Sequence, residues 1–256
     1  MNLFYKTLYL FLKKLKFNSH INNLRGLLYF LQSKNMQINT ILDVGAFKGE
    51  WSKYVQRIFP KSTFVLVEPN IAHNSVIEAK GFLPFNELFS NERKEVVFYS
   101  SNTSGDSCYP EVDQLNSYTN TRRITTVTID EFFKLNNLPT PDLIKLDVQG
   151  SELDVLRGAT RMLNQCKIVI LELPVIPYNL GAPSFTEVTS HMISRGFVPF
   201  YLCEVHKVGE VLVQVDIAFL KNSEFEKLFG KLEERGFWQT VTMSLEESLR
   251  ASRNKK

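Results

Sequence analysis

Cysteine and histidine are scarce in this chain of 256 residues, and the few present show no pattern. The three cysteines, Cys108, Cys166 and Cys203, are odd in number and form no CxxC pair, which excludes a zinc ribbon and a disulfide framework and favours a reducing, cytoplasmic compartment. The four histidines, His20, His73, His191 and His206, lack paired metal-ligand spacing and read as structural. His73 is set apart because it closely follows Glu68-Pro69 and is placed to border a ligand pocket. Trp51 and Trp238 stand alone and read as packing residues. The GxGxxG spacing that makes room for a dinucleotide's pyrophosphate is also missing.

Acidic residues are absent from residues 1–40, which carry Lys6, Lys13, Lys14, Lys16, Arg25 and Lys34. The net charge of +3 therefore hides a body that is slightly acidic. A nucleic-acid-binding domain normally carries its basic surface on the folded body, so the expectation is no nucleic-acid partner. Within residues 1–17, Phe4, Leu8, Phe11, Leu12 and Leu15 fall at helical spacing, with Lys6, Lys13 and Lys16 towards another face. The segment is too short and too charged to span a bilayer, and it has no cleavage site of a secretory signal. Two readings stand: packing on the domain or a second subunit, and peripheral contact with the inner membrane face.

What is present from residue 40 onward is an alternation of short apolar runs and helical patterns, the mark of βαβ units around a parallel sheet. Strands are expected at Thr40 to Val44, Thr63 to Val67, Phe82 to Phe85, Glu95 to Ser100, Ile124 to Thr128, Leu143 to Asp147 and Ile168 to Leu173. Helices are expected over Glu50 to Phe59, Asn70 to Lys80, from the Thr128 capping box, over Ser151 to Leu163, and from the Ser184 capping box to Gly196. Phe197 to Val205 and Val211 to Leu220 read as a hairpin, so one strand must run antiparallel. The expected architecture is α/β: a mostly parallel seven-stranded Rossmann-like sheet ending in an antiparallel hairpin, with helices on both faces. Residues 1–39 form a helical extension, 40–220 the domain, and 221–256 a helical tail. The polar stretch Ser101 to Thr121 reads as a functional loop, joined by Pro174 to Pro183.

The turn Asp43-Val44-Gly45-Ala46-Phe47-Lys48-Gly49 puts two glycines where a strand must turn sharply and admit a ligand to its backbone. Glu68, at the end of the next strand, stands where a carboxylate holds a ribose. A nucleotide-like ligand without a pyrophosphate fits this pair, and S-adenosylmethionine is one. Alternation along Leu143 to Asp147 puts Lys145 and Asp147 on one face near the strand's carboxyl end, where open α/β sheets bind ligands.

These segments resemble the FkbM family of methyltransferases. The resemblance rests on Ile41-Leu42-Asp43-Val44-Gly45-Ala46, on Val67-Glu68-Pro69-Asn70, on Lys145-Leu146-Asp147-Val148-Gln149-Gly150-Ser151-Glu152 with Leu156-Arg157-Gly158-Ala159, and on Leu171-Glu172. It covers roughly residues 40–220. It implies a class I methyltransferase fold, S-adenosylmethionine as cofactor, and O-methylation of sugars or natural products. Two positions depart from the family: Gln149 stands where Glu is usual, and Phe47 where Asn is common.

The residues expected to hold the cofactor are Asp43, Gly45, Ala46, Phe47, Glu68, Pro69 and Leu88. Methyl transfer needs donor and acceptor held in line, and a hydroxyl acceptor must lose its proton. Asp147 is the first candidate base, Glu172 the second and Glu152 the third, with Lys145 beside them. Asp147 and Glu172 also make half of a magnesium site, a reading ranked below the metal-free one. Tyr109, Tyr118 and Tyr178 are candidates to stack on a sugar. The acceptor expected is a sugar-like or small-molecule hydroxyl compound. Two rival functions are another nucleotide-dependent Rossmann-like enzyme and a noncatalytic scaffold docked at a membrane.

Overall fold

Thr40–Val44 is apolar except at Thr40 and Asp43, buried at all five positions, and bounded by the glycine turn, and it forms strand β1 at the middle of the sheet. The computed structural model describes residues 24–100, 105–111 and 120–230. The amphipathic pattern of residues 1–17, Tyr118, Trp238 and the tail pattern beginning at Ser244 lie outside the described residues.

In chain order, α1 (Leu24–Ser33) precedes β1 and is followed by α2 (Glu50–Gln56), β2 (Thr63–Val67), a 3-10 turn (Ile71–His73) leading into α3 (Asn74–Ala79), and β3 (Pro84–Phe85). Then come β4 (Glu95–Ser100), β5 (Asn120–Thr125), α4 (Ile129–Leu135) and β6 (Leu143–Leu146). The rest is α5 (Glu152–Arg157), α6 (Thr160–Gln165), β7 (Ile168–Pro174), α7 (Phe185–Ser194), β8 (Phe197–Val208), β9 (Val211–Lys221) and α8 (Asn222–Phe229).

The main sheet has seven strands in the order β3-β2-β1-β6-β7-β9-β8. β3, β2, β1, β6 and β7 are parallel, while β9 runs antiparallel to both β7 and β8. This is the Rossmann-like class I methyltransferase arrangement, with its closing hairpin. The chain goes from β1 outward to β2 and later returns to β6 on the other side of β1, so the connections diverge above the carboxyl ends of β1 and β6. That divergence opens a crevice, the usual ligand position of such sheets.

Helices cover both faces. One core cluster joins Leu42, Val44, Ile144 and Leu171 to Phe132 of α4, Leu153 of α5, Met162 of α6 and Met192 of α7. The other joins Ile41, Leu143 and Ile170 to Leu27, Leu28 and Leu31 of α1 and Val55 of α2. Burying each of those α1 leucines contributes about 1.5–3 kcal/mol. A ten-residue helix is marginal alone, so α1 is held by this packing.

The helix expected over Glu50 to Phe59 ends at Gln56, and four further expectations change in detail. The helix Asn70 to Lys80 opens as a 3-10 turn, and the strand Phe82 to Phe85 shortens to its last two residues. The strand placed at Ile124 to Thr128 lies at Asn120–Thr125 and pairs only with β4, in a separate two-stranded sheet. Its residues face solvent on alternate positions, so it carries no apolar alternation to read.

The single helix Ser151 to Leu163 is two helices. Gly158 packs so closely that a Cβ there would lie 2.2 Å from the Ser90 carbonyl oxygen. The Asp130 carboxylate then accepts the Arg161 and Met162 N–H groups at 2.7 and 3.0 Å, starting α6 afresh. Among the described residues no helix is long and apolar enough to cross a membrane.

Candidate cofactor and acceptor site

Backbone contacts fasten three strand ends together at the crevice. The Gly45 and Ala46 N–H groups donate to the Val67 carbonyl at 2.9 and 3.1 Å, and the Asp147 N–H donates to Val44 at 3.1 Å. Gly45 has φ +74°, and a Cβ on it would stand 1.9 Å from the Asp147 carbonyl oxygen. Only glycine permits that approach. The crevice that results is a cleft above these strand ends.

Gly45, Phe47, Glu68, Pro69, Leu88 and Asp147 form its walls together with His73. Asp43 and Ala46 lie behind them. Asp43 is fully buried, accepting the Ser52 hydroxyl at 2.6 Å and facing Lys145, while Ala46 packs on Leu66, Ile77 and Phe82.

Phe47 adopts φ +49°, a left-handed conformation that a residue other than glycine or asparagine rarely takes. In that conformation its N–H donates to Glu68 Oε2 at 2.7 Å, while the Asn70 N–H donates to Oε1 at 2.8 Å. Burial pushes the Glu68 carboxyl up to about 7, against the pull of these two N–H groups; Asp106 and Asp43 push it the same way.

The other wall is made by residues with no periodic signal in the sequence. Glu87, Asp106, Ser107 and Cys108 border the cleft. The Ser107 hydroxyl donates to the Gln149 carbonyl at 2.6 Å, and Ser107 exchanges backbone hydrogen bonds with Tyr99. The signal for this wall was the length of the polar stretch alone. The two loops expected over one sheet edge do meet: Leu180 N–H donates to the Pro110 carbonyl at 2.9 Å and the Asn179 amide to Tyr109 at 2.7 Å.

At the floor, β6 places Lys145 Nζ 2.7 Å from Asp147 Oδ2 and 4.0 Å from Asp43 Oδ1. Burial acts to lower the lysine's pKa, but Asp147, Asp43 and Glu172 together outweigh it and hold the ammonium above the ordinary lysine value. Burial acts to raise Asp147, and Lys145 with hydrogen bonds from Glu172, Lys145 and Gln149 outweighs it, holding Asp147 below the ordinary range. Glu172 moves strongly upward through burial and through sharing its proton with Asp147. Gln149 Nε2 donates to Asp147 Oδ1 at 3.0 Å and reaches Glu172 Oε2 at 3.4 Å. The neutral amide at position 149 thus supplies a donor between two acids, where a third carboxylate would add repulsion.

Glu152 is engaged instead by backbone donors of the turn that follows Asp147. Its carboxylate accepts the Val148 and Gly150 N–H groups at 3.1–3.3 Å, and burial pushes it up to about 7. It holds the turn that carries Gln149 at φ +52°. Tyr109 donates its hydroxyl to Asp154 and Tyr178 to Gln214. Among the described residues, no cluster of three or more His, Cys, Asp or Glu side chains is placed to hold a metal ion.

Parts of the chain are similar to known proteins. A hexuronic acid methyltransferase, AglP of Haloferax volcanii, is 40% identical over 50 residues, 20% of this chain and 21% of that protein. A methyltransferase FkbM from Methylobacillus flagellatus KT superposes with a TM-score of 0.48 at 14% identity, over 70% of this chain and 43% of the other. The magnesium protoporphyrin IX methyltransferase of Synechocystis PCC 6803, crystallised with bound S-adenosylmethionine, gives 0.43 at 11% identity over 77% of each chain. The chain thus spans about a fifth and under half of the length of the first two. Residues 43–199, more than half of the chain, match the methyltransferase FkbM domain, and the protein belongs to that family.

Proposed function

We propose that the protein is an S-adenosylmethionine-dependent O-methyltransferase acting on a hydroxyl of a sugar-containing or small natural-product acceptor. The observation that carries this reading is one cleft walled by Gly45, Glu68 and Asp147, the ends of three neighbouring strands. The space kept open by Gly45 and the apolar surfaces of Phe47, Pro69 and Leu88 suit a flat nucleoside flanked by a short aminoacyl chain, and no glycine is spaced to admit a pyrophosphate. The hexuronic acid methyltransferase relative supports a carbohydrate acceptor.

S-adenosylmethionine bound there supplies an electrophilic methyl group. The residues of the chain then orient the acceptor and take its proton. Of the two carboxyls at the floor, Asp147 is the ionised one, held so by Lys145, and Glu172 is the protonated one. Asp147 therefore acts as the base. Its low pKa suits it to a proton that becomes acidic only as the oxygen gains the methyl group. Glu172 donates a hydrogen bond to Asp147 and fixes its orientation. Asp43, behind Lys145, contributes a second negative charge that keeps the lysine protonated.

Calorimetric titration with S-adenosylmethionine, S-adenosylhomocysteine and NAD tests the cofactor. Micromolar affinity for the first two and none for NAD is expected, and the reverse order overturns the reading. Methyl-labelled cofactor incubated with neutral hexosides, hexuronic acid glycosides and a phenol then tests the acceptor: label on the phenol alone would exclude a sugar.

A further inference from the structure

Trp51 reads as a packing residue in the sequence, yet the structure sets its ring beside the floor of the site. Lys145 Nζ, which lies 2.7 Å from Asp147 Oδ2, is also 5.7 Å from the centroid of the Trp51 ring. Trp51 is half-buried in α2 and packs in part on the core cluster beneath that helix. An aromatic ring at the edge of the group that takes the acceptor's proton is a surface on which a substrate ring can rest.

From the lysine beneath this ring a line of carboxyls runs across the sheet. Leu143 of β6, Ile170 of β7 and Ala218 of β9 pack with α1 and α2, and alternation turns Lys145, Glu172 and Asp216 to that same face. Glu172 hydrogen-bonds Asp147, Asp216 is the register partner of Glu172, and Glu204 is the register partner of Asp216. The groups that offset this line most are Lys145, already paired with Asp147, and His206, 3.4 Å from Glu204 and 3.6 Å from Asp216. They do not balance it: burial first and then Asp147 push Asp216 up to about 6, with Glu204 acting the same way. At the Tyr178 hydroxyl, which donates to Gln214 on the same strand as Asp216, burial and then Glu172, Glu111, Glu152 and Asp147 all push upward.

An aromatic ring and a line of acids together complement a sugar and discriminate among sugars. A pyranose presents C–H groups on its faces, which rest on an aromatic ring, and hydroxyl donors on its rim, which ionised carboxylates accept. A carboxylate on the sugar has no donor to offer and meets like charge, the device by which wrong partners are rejected. We propose that the acceptor lies along this face, stacked on Trp51 with hydroxyls on Asp147 and Asp216, and that it is a sugar without a carboxylate, not a hexuronic acid. The inference rests on the sugar-methylating reading above and assigns the acceptor's charge class within it.

The test is steady-state methyl transfer from labelled S-adenosylmethionine by the full chain and its W51L, W51F and D216N variants. The probes are a panel of methyl hexosides and the methyl hexuronosides of the same configurations. The unaltered chain should use a neutral hexoside at least about tenfold better in kcat/KM than the matching hexuronoside. D216N removes a charge and keeps the size, so it should narrow that ratio about three- to tenfold through better use of the hexuronoside. W51L should raise KM for the neutral hexoside about tenfold, and W51F should restore most of it. Neither Trp51 variant should alter affinity for S-adenosylhomocysteine. Preference of the unaltered chain for the hexuronoside overturns the inference, as does a ratio unmoved by D216N or a KM unmoved by W51L. Should W51L fail to fold, D216N decides: a narrowed ratio supports the inference and an unmoved one overturns it. Transfer to neither class of sugar while S-adenosylhomocysteine binds overturns the sugar reading and this inference with it. That outcome is distinct from hexuronoside preference, which leaves sugar methylation standing.

Discussion

Lys145 Nζ lies 2.7 Å from Asp147 Oδ2 in a side chain that is only 7% exposed, and this pairing sets the charge state of the whole floor. One buried ammonium faces Asp147 directly and Asp43 at 4.0 Å. Replacing it by Met leaves both acids without a cation. K145M should lose about 3–5 kcal/mol of stability near neutral pH, the usual cost of breaking a buried ion pair from one side. Urea unfolding measures this, and a midpoint equal to that of the unaltered chain would show that the pair does not carry the floor.

Asp147 is the group assigned to take the acceptor's proton, so its removal should separate binding from chemistry. D147N keeps the side chain's shape and can still accept the Gln149 amide proton. Methyl transfer should fall about 10²- to 10⁴-fold. Affinity for S-adenosylhomocysteine should change little. Single-turnover transfer with labelled cofactor reads the first and calorimetry the second; full transfer by D147N removes it as the base.

Gly45 combines a left-handed backbone with a contact that forbids a side chain. In G45A the methyl group meets the Asp147 carbonyl, and the β1 and β6 ends must separate. Left-handed strain and overpacking together should cost about 2–5 kcal/mol. Cofactor affinity should fall with it, because the same displacement moves both walls of the cleft. Thermal unfolding and calorimetry on one preparation check the two effects, and a G45A protein with unaltered cofactor affinity would contradict the close approach.

The carboxyl of Glu152 is pushed by burial to about 7 from an ordinary 4.5. A raised acid binds its proton more tightly when folded than when unfolded. Its contribution to stability is therefore complete below 4.5 and is lost as the pH rises through about 7. The shift corresponds to at most about 3 kcal/mol. E152Q keeps an oxygen for the Val148 and Gly150 N–H groups and removes the titration. Between pH 5 and pH 8 the stability of E152Q should decline less than that of the unaltered chain. Parallel declines in urea unfolding would assign the dependence to another group, Glu68 being the next, since burial pushes it too to about 7.

Much of the scaffold was legible because local signals and tertiary demands coincide. Thr40–Val44 and Thr63–Val67 have the expected boundaries, being short apolar runs closed by a glycine turn and by Pro69. The Ser184 capping box is complete, with the Glu187 N–H donating to the serine hydroxyl oxygen and the Glu187 carboxylate accepting the Ser184 N–H. The hairpin of β8 and β9 closes the sheet as its alternation requires. The errors fall where a distant contact decides. Ser90 and Asp130 divide Ser151 to Leu163, and β4 draws Asn120–Thr125 into a strand despite its polarity.

The sequence by itself determined the alternating α/β order, the hairpin, the glycine turn and the carboxyl-end placement of Glu68, Lys145 and Asp147, because each follows from periodicity and spacing along the chain. The tertiary structure decided which acids are ionised, since burial and the 2.7 Å contact to Lys145 separate Asp147 from Glu172. It also set Asp43 behind the cleft and brought His73 and Asp106 to its wall. Charge state and cleft membership depend on distances between segments far apart in the chain, and those distances exist only once the sheet has formed.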